Sequence, residues 1–148
     1  KKNSNIFGQF NFTLSEYISL NYDFSIKNDL EAFEYNSIDA KFTYQGFFTE
    51  ISYLEESGVL GNTNVIENKS KYIFDENNSI SFNTRRNRKL NLTEYYDLIY
   101  QYKNDCLIAG IEYNKKYYND TDIKPSEGLY FSITIVPLGT FAPENILK

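Results

Sequence analysis

Few of the side-chain combinations that carry out chemistry are available in this 148-residue chain, and none of them indicates catalysis. The chain has one cysteine, Cys106, and no histidine. Without histidine the usual triad of nucleophile, base and orienting acid cannot be assembled, and no Gly-x-Ser-x-Gly sequence or Gly-rich phosphate loop is present. The acidic pairs Glu55-Glu56 and Asp75-Glu76 stand in or beside predicted turns, where solvated carboxylates are ordinary. We therefore expect no enzymatic activity, no cofactor and no metal site.

Composition narrows the class of partner. A net charge of −5 and an isoelectric point near 4.8 argue against nucleic acid, since neutralising phosphates requires clustered Lys and Arg. No apolar run of roughly 18 residues exists, which excludes a transmembrane helix but not a transmembrane barrel, whose strands hide apolar residues in alternation. Aromatic residues reach 18 %, all of them Tyr and Phe. This content is typical of strands, although AT-rich codon usage also raises it.

The elements that must position these side chains are strands, because apolar and polar residues alternate along most of the chain. In the clearest case Leu107, Ala109 and Ile111 share one face while Glu112 and Asn114 share the other. We predict an all-β fold, an antiparallel meander of about nine strands with almost no helix. The predicted strands are 10–14, 18–26, 38–44, 47–56, 65–74, 79–88, 92–102, 107–116 and 128–138.

Strand length favours a membrane over a protein core as the environment of the apolar side chains on one face of each strand. A strand of about eleven residues spans roughly 36 Å, and a tilt near 40° reduces this to the apolar band of about 25 Å in an outer-membrane barrel. Short predicted turns at 75–78 and 103–105 alternate with longer loops at 57–64 and 119–127, as in such barrels, although a short turn at 27–29 is an exception. A soluble barrel or sandwich is the alternative.

Several short motifs follow one another in the second half of the chain. They are Thr-Arg-Arg-Asn-Arg at 84–88, Leu-Thr-Glu-Tyr-Tyr at 92–96, Tyr-Lys-Asn-Asp-Cys-Leu at 102–107, Asp-Ile-Lys-Pro-Ser at 122–126, Phe-Ser-Ile at 131–133 and Pro-Leu-Gly at 137–139. This ordered set resembles the carboxyl-terminal barrel of the LPS-assembly outer-membrane protein family, LptD, also called OstA. The resemblance is best over 79–139. It implies that residues 1–148 form one segment of a transmembrane outer-membrane β-barrel, with 140–148 as a carboxyl-terminal tail. We expect the periplasmic domain and first strands of a longer protein to be missing.

The resemblance also implies a function. Members of the family sit in the outer membrane of Gram-negative bacteria and contact its lipids. They receive lipopolysaccharide from a periplasmic transport bridge, hold a plug lipoprotein of the LptE type, and release lipopolysaccharide into the outer leaflet without covalent chemistry. Two alternatives stay open, a different outer-membrane barrel such as a porin-like channel, and a soluble all-β binding module.

Two site predictions follow for the carboxyl-terminal strands. Family members use a cysteine at the position of Cys106 to tether the barrel to the periplasmic domain, so Cys106 is predicted to form an inter-domain disulfide. Many relatives have two adjacent cysteines there, whereas this chain has Cys106-Leu107, and an ordinary small strand residue is the alternative. The predicted last strand would form half of a lateral opening for lipid release, with Gly128, Tyr130, Ser132, Thr134 and Pro137 as candidates. Pro137 lacks a ladder donor, which either ends pairing or loosens the opening.

Two further sets of residues are predicted to meet the membrane. The first set lies at the outer end of its strand, where guanidinium groups suit phosphates of lipopolysaccharide, and it consists of Arg85, Arg86 and Arg88. A solvated basic strand end is the alternative. The second set consists of two pairs near opposite ends of the sheet, predicted to belong to two aromatic girdles: Tyr100 with Tyr102, and Tyr117 with Tyr118. Codon bias is the alternative explanation for these tyrosines.

Overall fold

The fold is a single antiparallel sheet. A computed structural model describes residues 4–58, 61–118, 124–136 and 139–141, and these residues contain strands and turns but no helix. The strands are β1 (Ile6–Ser15), β2 (Ile18–Ile26), β3 (Phe33–Tyr44), β4 (Phe47–Glu56), β5 (Thr63–Ile73), β6 (Asn78–Asn87), β7 (Leu92–Lys103), β8 (Leu107–Lys116), β9 (Ser126–Ile135) and β10 (Gly139–Phe141). Within the described ranges, no helix is long and apolar enough to cross a membrane.

Each strand pairs with the next one along the chain, in the order β1 to β10. Nine strands are long and β10 has three residues. β1 and β10 do not pair with each other in the described residues, so the sheet is open there. Sequential antiparallel pairing with short connections is what period-two alternation predicts, because each hairpin joins neighbouring strands directly. The predicted all-β antiparallel meander is thus confirmed.

The connections differ in length between the two ends of the sheet. At one end, called the short-turn end, they have two to four residues: 16–17, 45–46, 74–77, 104–106 and 136–138. At the other, the long-loop end, they have four to nine residues: 27–32, 57–62, 88–91 and 117–125. The reversal that the predicted strands 38–44 and 47–56 imply is confirmed, since Gln45 and Gly46 have φ of 43° and 81° in a two-residue hairpin turn.

The predicted short turn at 27–29 was wrong, and so was the start of the following strand at residue 38. β3 begins at Phe33, which pairs with Ile26 across a register shift in β2. The connection is therefore 27–32, where the Lys27 N–H donates to the Ala32 carbonyl at 3.0 Å and Leu30 has a φ of 62°. The irregular residues after Phe33 hid the strand from the alternation pattern. With this correction, the alternation of short and long connections has no exception at 27–32.

The predicted last strand, 128–138, also needs correction. β9 ends at Ile135, and the Val136 N–H donates to the Cys106 carbonyl at 3.0 Å before the chain reverses. β10 then pairs with the end of β9, from Ile133 to Ile135. β9 is therefore the penultimate strand, and residues 140 and 141 of the predicted tail belong to β10. Pro137 and residues 142–148 lie outside the described part of the chain.

Candidate functional site

The two faces of the sheet have different chemistry across its whole width. Side chains alternate between faces along a strand, and directly paired residues share a face. One continuous row of pairs runs from Ile80 to Tyr100, Ile111 and Phe131, across β6 to β9. We call the face that carries this row the apolar face. Among its other members are Phe10, Phe12, Leu20, Phe24, Ile38, Phe42, Phe47, Ile51, Tyr72, Phe82, Leu98, Leu129 and Ile133.

The opposite face, the polar face, carries charges that pair across strands. Arg85 of β6 lies between two carboxylates: its Nη1 donates to Glu67 of β5 at 2.6 Å, and its Nε lies 2.8 Å from Glu94 of β7. On the same face Lys41 Nζ lies 3.8 Å from Glu50. A shallow groove of about 360 Å³ opens beside this pair, towards the short-turn end. Two further acids of this face have neutral partners, since Ser52 donates to Asp39 at 2.5 Å and Asn114 donates to Asp97.

Burial is inverted relative to a water-soluble sheet. In the described residues Val65 is the only buried hydrophobic residue, with Ser25, Glu34 and Ser79 as buried polar ones. On the apolar face, by contrast, Phe131 is 64 % exposed. A soluble monomer rarely exposes an apolar surface that continues across nine strands. The described residues therefore leave the apolar face uncovered.

Aromatic side chains are present at both ends of the sheet as well as along its strands. At the short-turn end Tyr100 and Tyr102 lie on the apolar face, close to the carboxyl end of β7, where they were expected. Residues that the sequence analysis missed join them, for example Tyr17 and Tyr44, whose rings meet edge to face at 5.7 Å. The sequence feature that could have identified them is an aromatic residue in or beside a turn.

The expected tyrosines at the long-loop end follow β8. The Tyr117 hydroxyl lies 2.6 Å from that of Tyr96, and the two rings meet edge to face at 5.6 Å. Lys115 Nζ lies over the Tyr117 ring, 5.7 Å from its centre. Tyr118 is exposed, with its hydroxyl 3.4 Å from Ser126 Oγ. The two predicted pairs of tyrosines thus lie at opposite ends of the sheet.

The structure separates the three arginines that the sequence analysis grouped. Arg85 lies on the polar face and is neutralised as described above. Arg86 pairs with Ile66 on the apolar face, is exposed, and donates from Nη2 to Asn91 Oδ1 at 2.5 Å. Arg88, in the following turn, stacks its guanidinium over the Tyr53 ring at 5.8 Å. Arg85 and Arg86 therefore have different partners because successive residues of a strand point to opposite faces.

Cys106 closes the turn between β7 and β8 at the short-turn end. It is exposed and carries a free thiol. Its N–H donates to Asn104 Oδ1 at 3.0 Å, and the Leu107 N–H donates to the same oxygen at 2.8 Å. The turn is thus held by the Asn104 side chain, which leaves the thiol accessible. An accessible thiol in a fixed turn can form a disulfide with a cysteine outside this chain.

The remaining candidates lie on β9. Gly128, Tyr130, Ser132 and Thr134 all lie on the polar face, and their partners on one side are residues of β8. On the other side β10 pairs only from Ile133 to Ile135, so within the described ranges the edge of β9 before Ile133 has no strand partner. The Tyr130 ring covers Gly128, where a Cβ would meet the ring at 2.8 Å. Pro137, the fifth candidate, lies outside the described residues.

The comparisons with known proteins add no family. No protein-family model matches this chain, and no curated protein sequence matches it. Among the described residues no group of three or more potential ligands could hold a metal ion. The class that the structure defines is therefore an open, two-faced antiparallel sheet with an exposed apolar face.

Proposed function

We propose that this chain forms part of the wall of an outer-membrane β-barrel, with its apolar face against lipid and its polar face towards the lumen. The observation that carries the proposal is the inverted burial, an apolar face left exposed across nine long strands while the ion pairs Lys41–Glu50 and Arg85–Glu67 lie on the opposite face. The short-turn end would then be periplasmic and the long-loop end external. Unpaired strand edges are not tolerated in lipid, so further strands would close the barrel.

We further propose that this barrel delivers lipopolysaccharide to the outer leaflet. The support is the ordered set of motifs from 84 to 139, whose resemblance to LptD motivates the assignment, together with a polar face on which an anionic headgroup would meet both charges and amides. Lipopolysaccharide, a plug lipoprotein and a periplasmic bridge would be the partners. The reaction would be passage without bond making, so this segment needs no nucleophile or metal.

Two local features fit the same proposal. Cys106, exposed at the short-turn end, would face an oxidising periplasm, where a disulfide to a periplasmic domain could form. The edge of β9 before Ile133 is partnered by no strand in the described residues, so Tyr130 and Ser132 would border the proposed lateral opening. Because β10 pairs only with the end of β9, the opening would lie along the unpaired part of β9 and not along the last described strand.

A matched pair of variants tests the membrane placement. The chain contains no tryptophan, so Leu98→Trp on the apolar face and Ile99→Trp on the polar face each introduce a single fluorophore at adjacent positions. The protein is folded into nanodiscs whose phosphatidylcholine carries brominated acyl chains. We expect strong quenching of L98W and little of I99W. Equal quenching of both, or a protein that stays monodisperse without detergent, would contradict the proposal and favour a soluble module.

A depletion experiment tests the transport role. When the protein is depleted from the organism that makes it, newly made lipopolysaccharide should fail to reach the cell surface, as measured by surface labelling against total lipopolysaccharide. A porin-like channel predicts the opposite pattern, in which surface lipopolysaccharide is unchanged and small-solute uptake falls. Alkylation of Cys106 in unreduced envelopes would further contradict the disulfide, since a bonded thiol does not react.

A further inference from the structure

Arg86 and Arg88 are two exposed cations on the apolar side of the long-loop end that have no carboxylate partner among the described residues. Arg86 donates to the neutral amide of Asn91, and Arg88 stacks on the Tyr53 ring. A nearby carboxylate, Glu55, accepts instead from the Tyr53 hydroxyl at 2.9 Å and from Asn64 Nδ2 at 3.1 Å. The two guanidinium charges are therefore not neutralised by this part of the chain.

Other cations of the sheet behave differently. Arg85, Lys41 and Lys115 each have a carboxylate within 3.8 Å. Lys71, Lys103 and Lys116 form no ion pair in the described residues, but all three lie on the polar face. Arg86 and Arg88 thus combine two properties, an uncompensated charge and a position beside the apolar face.

The surroundings of the two arginines define the chemistry of a ligand. Arg86 pairs with Ile66, which pairs with Tyr53, and that row continues to Ile38, so apolar and aromatic surface lies directly between the two arginines. Guanidinium groups bind phosphate oxygens with two parallel hydrogen bonds. A ligand that satisfies both features carries a phosphate at one end and apolar chains at the other.

We infer that Arg86 and Arg88, with the Tyr53 ring stacked against Arg88, form a site for the phosphate of a lipid headgroup in the membrane leaflet at the long-loop end. The inference rests on the proposed membrane placement and deepens it by naming a ligand class and its residues. Arg85 takes no part, because Glu67 and Glu94 already neutralise it on the other face.

A local reporter tests the site. Ile66→Trp places the only tryptophan between Arg86 and Tyr53, and Phe131→Trp places one on the apolar face of β9 as a distant reporter. Each protein is reconstituted in phosphatidylcholine nanodiscs that contain a minor fraction of brominated phosphatidate. We expect phosphatidate to bind near I66W about tenfold more strongly than phosphatidylcholine, and near F131W about equally.

Three charge variants in the I66W background assign the effect to the two arginines. R86Q/R88Q should reduce the tenfold preference to about onefold, while K71Q/K103Q, which removes two cations from the other face, should keep it. R86K/R88K keeps the charges and should keep part of the preference. Resistance to heat-induced unfolding, measured on a gel, shows independently whether each variant is folded. A preference that survives R86Q/R88Q in folded protein overturns the inference.

The outcomes separate this inference from the proposed function and from a free-anion site. If millimolar inorganic phosphate displaces phosphatidate completely, the site binds free phosphate and the lipid assignment is wrong. If wild-type I66W shows no preference while brominated phosphatidylcholine still quenches L98W, the inference fails and the membrane placement stands. If L98W is not quenched, the membrane placement fails and the inference fails with it.

Discussion

Two consecutive arginines, Arg85 and Arg86, lie on opposite faces of the sheet. Arg85 points to the polar face, where carboxylates of both neighbouring strands hold it at 2.6 and 2.8 Å. Arg86 points to the apolar face, beside Ile66, with only an amide as partner. Arginine is therefore neutralised by carboxylates on one face and left without a carboxylate partner on the other.

The difference shows that the face, rather than residue type, decides a side chain's role in this molecule. On the polar face, polar groups are among the most buried, as Ser25 and Ser79 show, with 1 % and 9 % exposed. On the apolar face, phenylalanine and isoleucine remain exposed. This distribution is the one that the proposed barrel wall requires, with lipid against the apolar face and a wet or polar lumen against the other.

The largest expected effect comes from placing a charge on each face in turn. Phe82→Arg lies mid-strand on the apolar face, and its neighbour Asn83→Arg lies on the polar face. On the proposed membrane placement F82R puts a cation into the bilayer, so we expect it to lower the free energy of unfolding in lipid vesicles by about 2–4 kcal/mol, and N83R to change it by less than about 1 kcal/mol. Equilibrium unfolding in urea measures both. Equal losses would remove the distinction between the faces.

A second pair of variants removes each arginine charge. Arg85→Gln leaves Glu67 and Glu94 without their shared cation, so we expect a loss of about 1–2 kcal/mol. Arg86→Gln breaks only a contact with an amide and should cost less than about 0.5 kcal/mol. The same urea experiment compares them. A larger loss for R86Q would show that Arg86 has a stabilising partner comparable to the carboxylates of Arg85.

A smaller effect is expected for hydroxyl groups. Thr49 belongs to a polar trio on the apolar face, with its Oγ1 2.8 Å from Ser70 Oγ and 3.2 Å from Asn68 Oδ1. Thr49→Val should cost about 1 kcal/mol, because on the proposed placement lipid offers no replacement partner. Ser52→Ala, which removes a hydroxyl bonded to Asp39 on the polar face, should cost less than about 0.5 kcal/mol because water can replace it. Comparable losses would indicate that water reaches both faces.

The smallest effect is a pH dependence in a turn, where neither face should matter. Backbone and side-chain hydrogen bonds from Asn77 and Asn78 lower the pKa of Asp75 below its ordinary value of 3.8. Because the pKa is lowered in the folded state, this carboxylate stabilises the fold above pH 3.8, and the contribution is lost as the pH falls through the lowered pKa. Carboxyl carbon NMR should show the lowered titration, and Asp75→Asn should abolish it. A pKa at or above 3.8 would contradict the hydrogen-bonded turn.

The sequence predicted most of the strands because side-chain alternation is a local property of the backbone. It placed Tyr100, Tyr102, Tyr117 and the turn before Leu107 at the correct ends of the sheet. It failed at 27–32, where an irregular apolar phase hid the start of β3, and at β10, where three residues are too few to show a period. It also grouped the three arginines, because proximity along the chain does not tell which face each one joins across strands.

By itself, the sequence determined that this protein is a meander of long two-faced strands, because period-two alternation and turn residues are encoded within each segment. Only the tertiary structure decided which side chains meet, since Arg85 and Glu67 are brought together by the register between β5 and β6. Register depends on pairing along whole strands and on shifts such as the one between Arg85 and Arg86 against β7. A shift of one residue exchanges the two faces, which is why neutralised and free arginines could be distinguished only in the folded sheet.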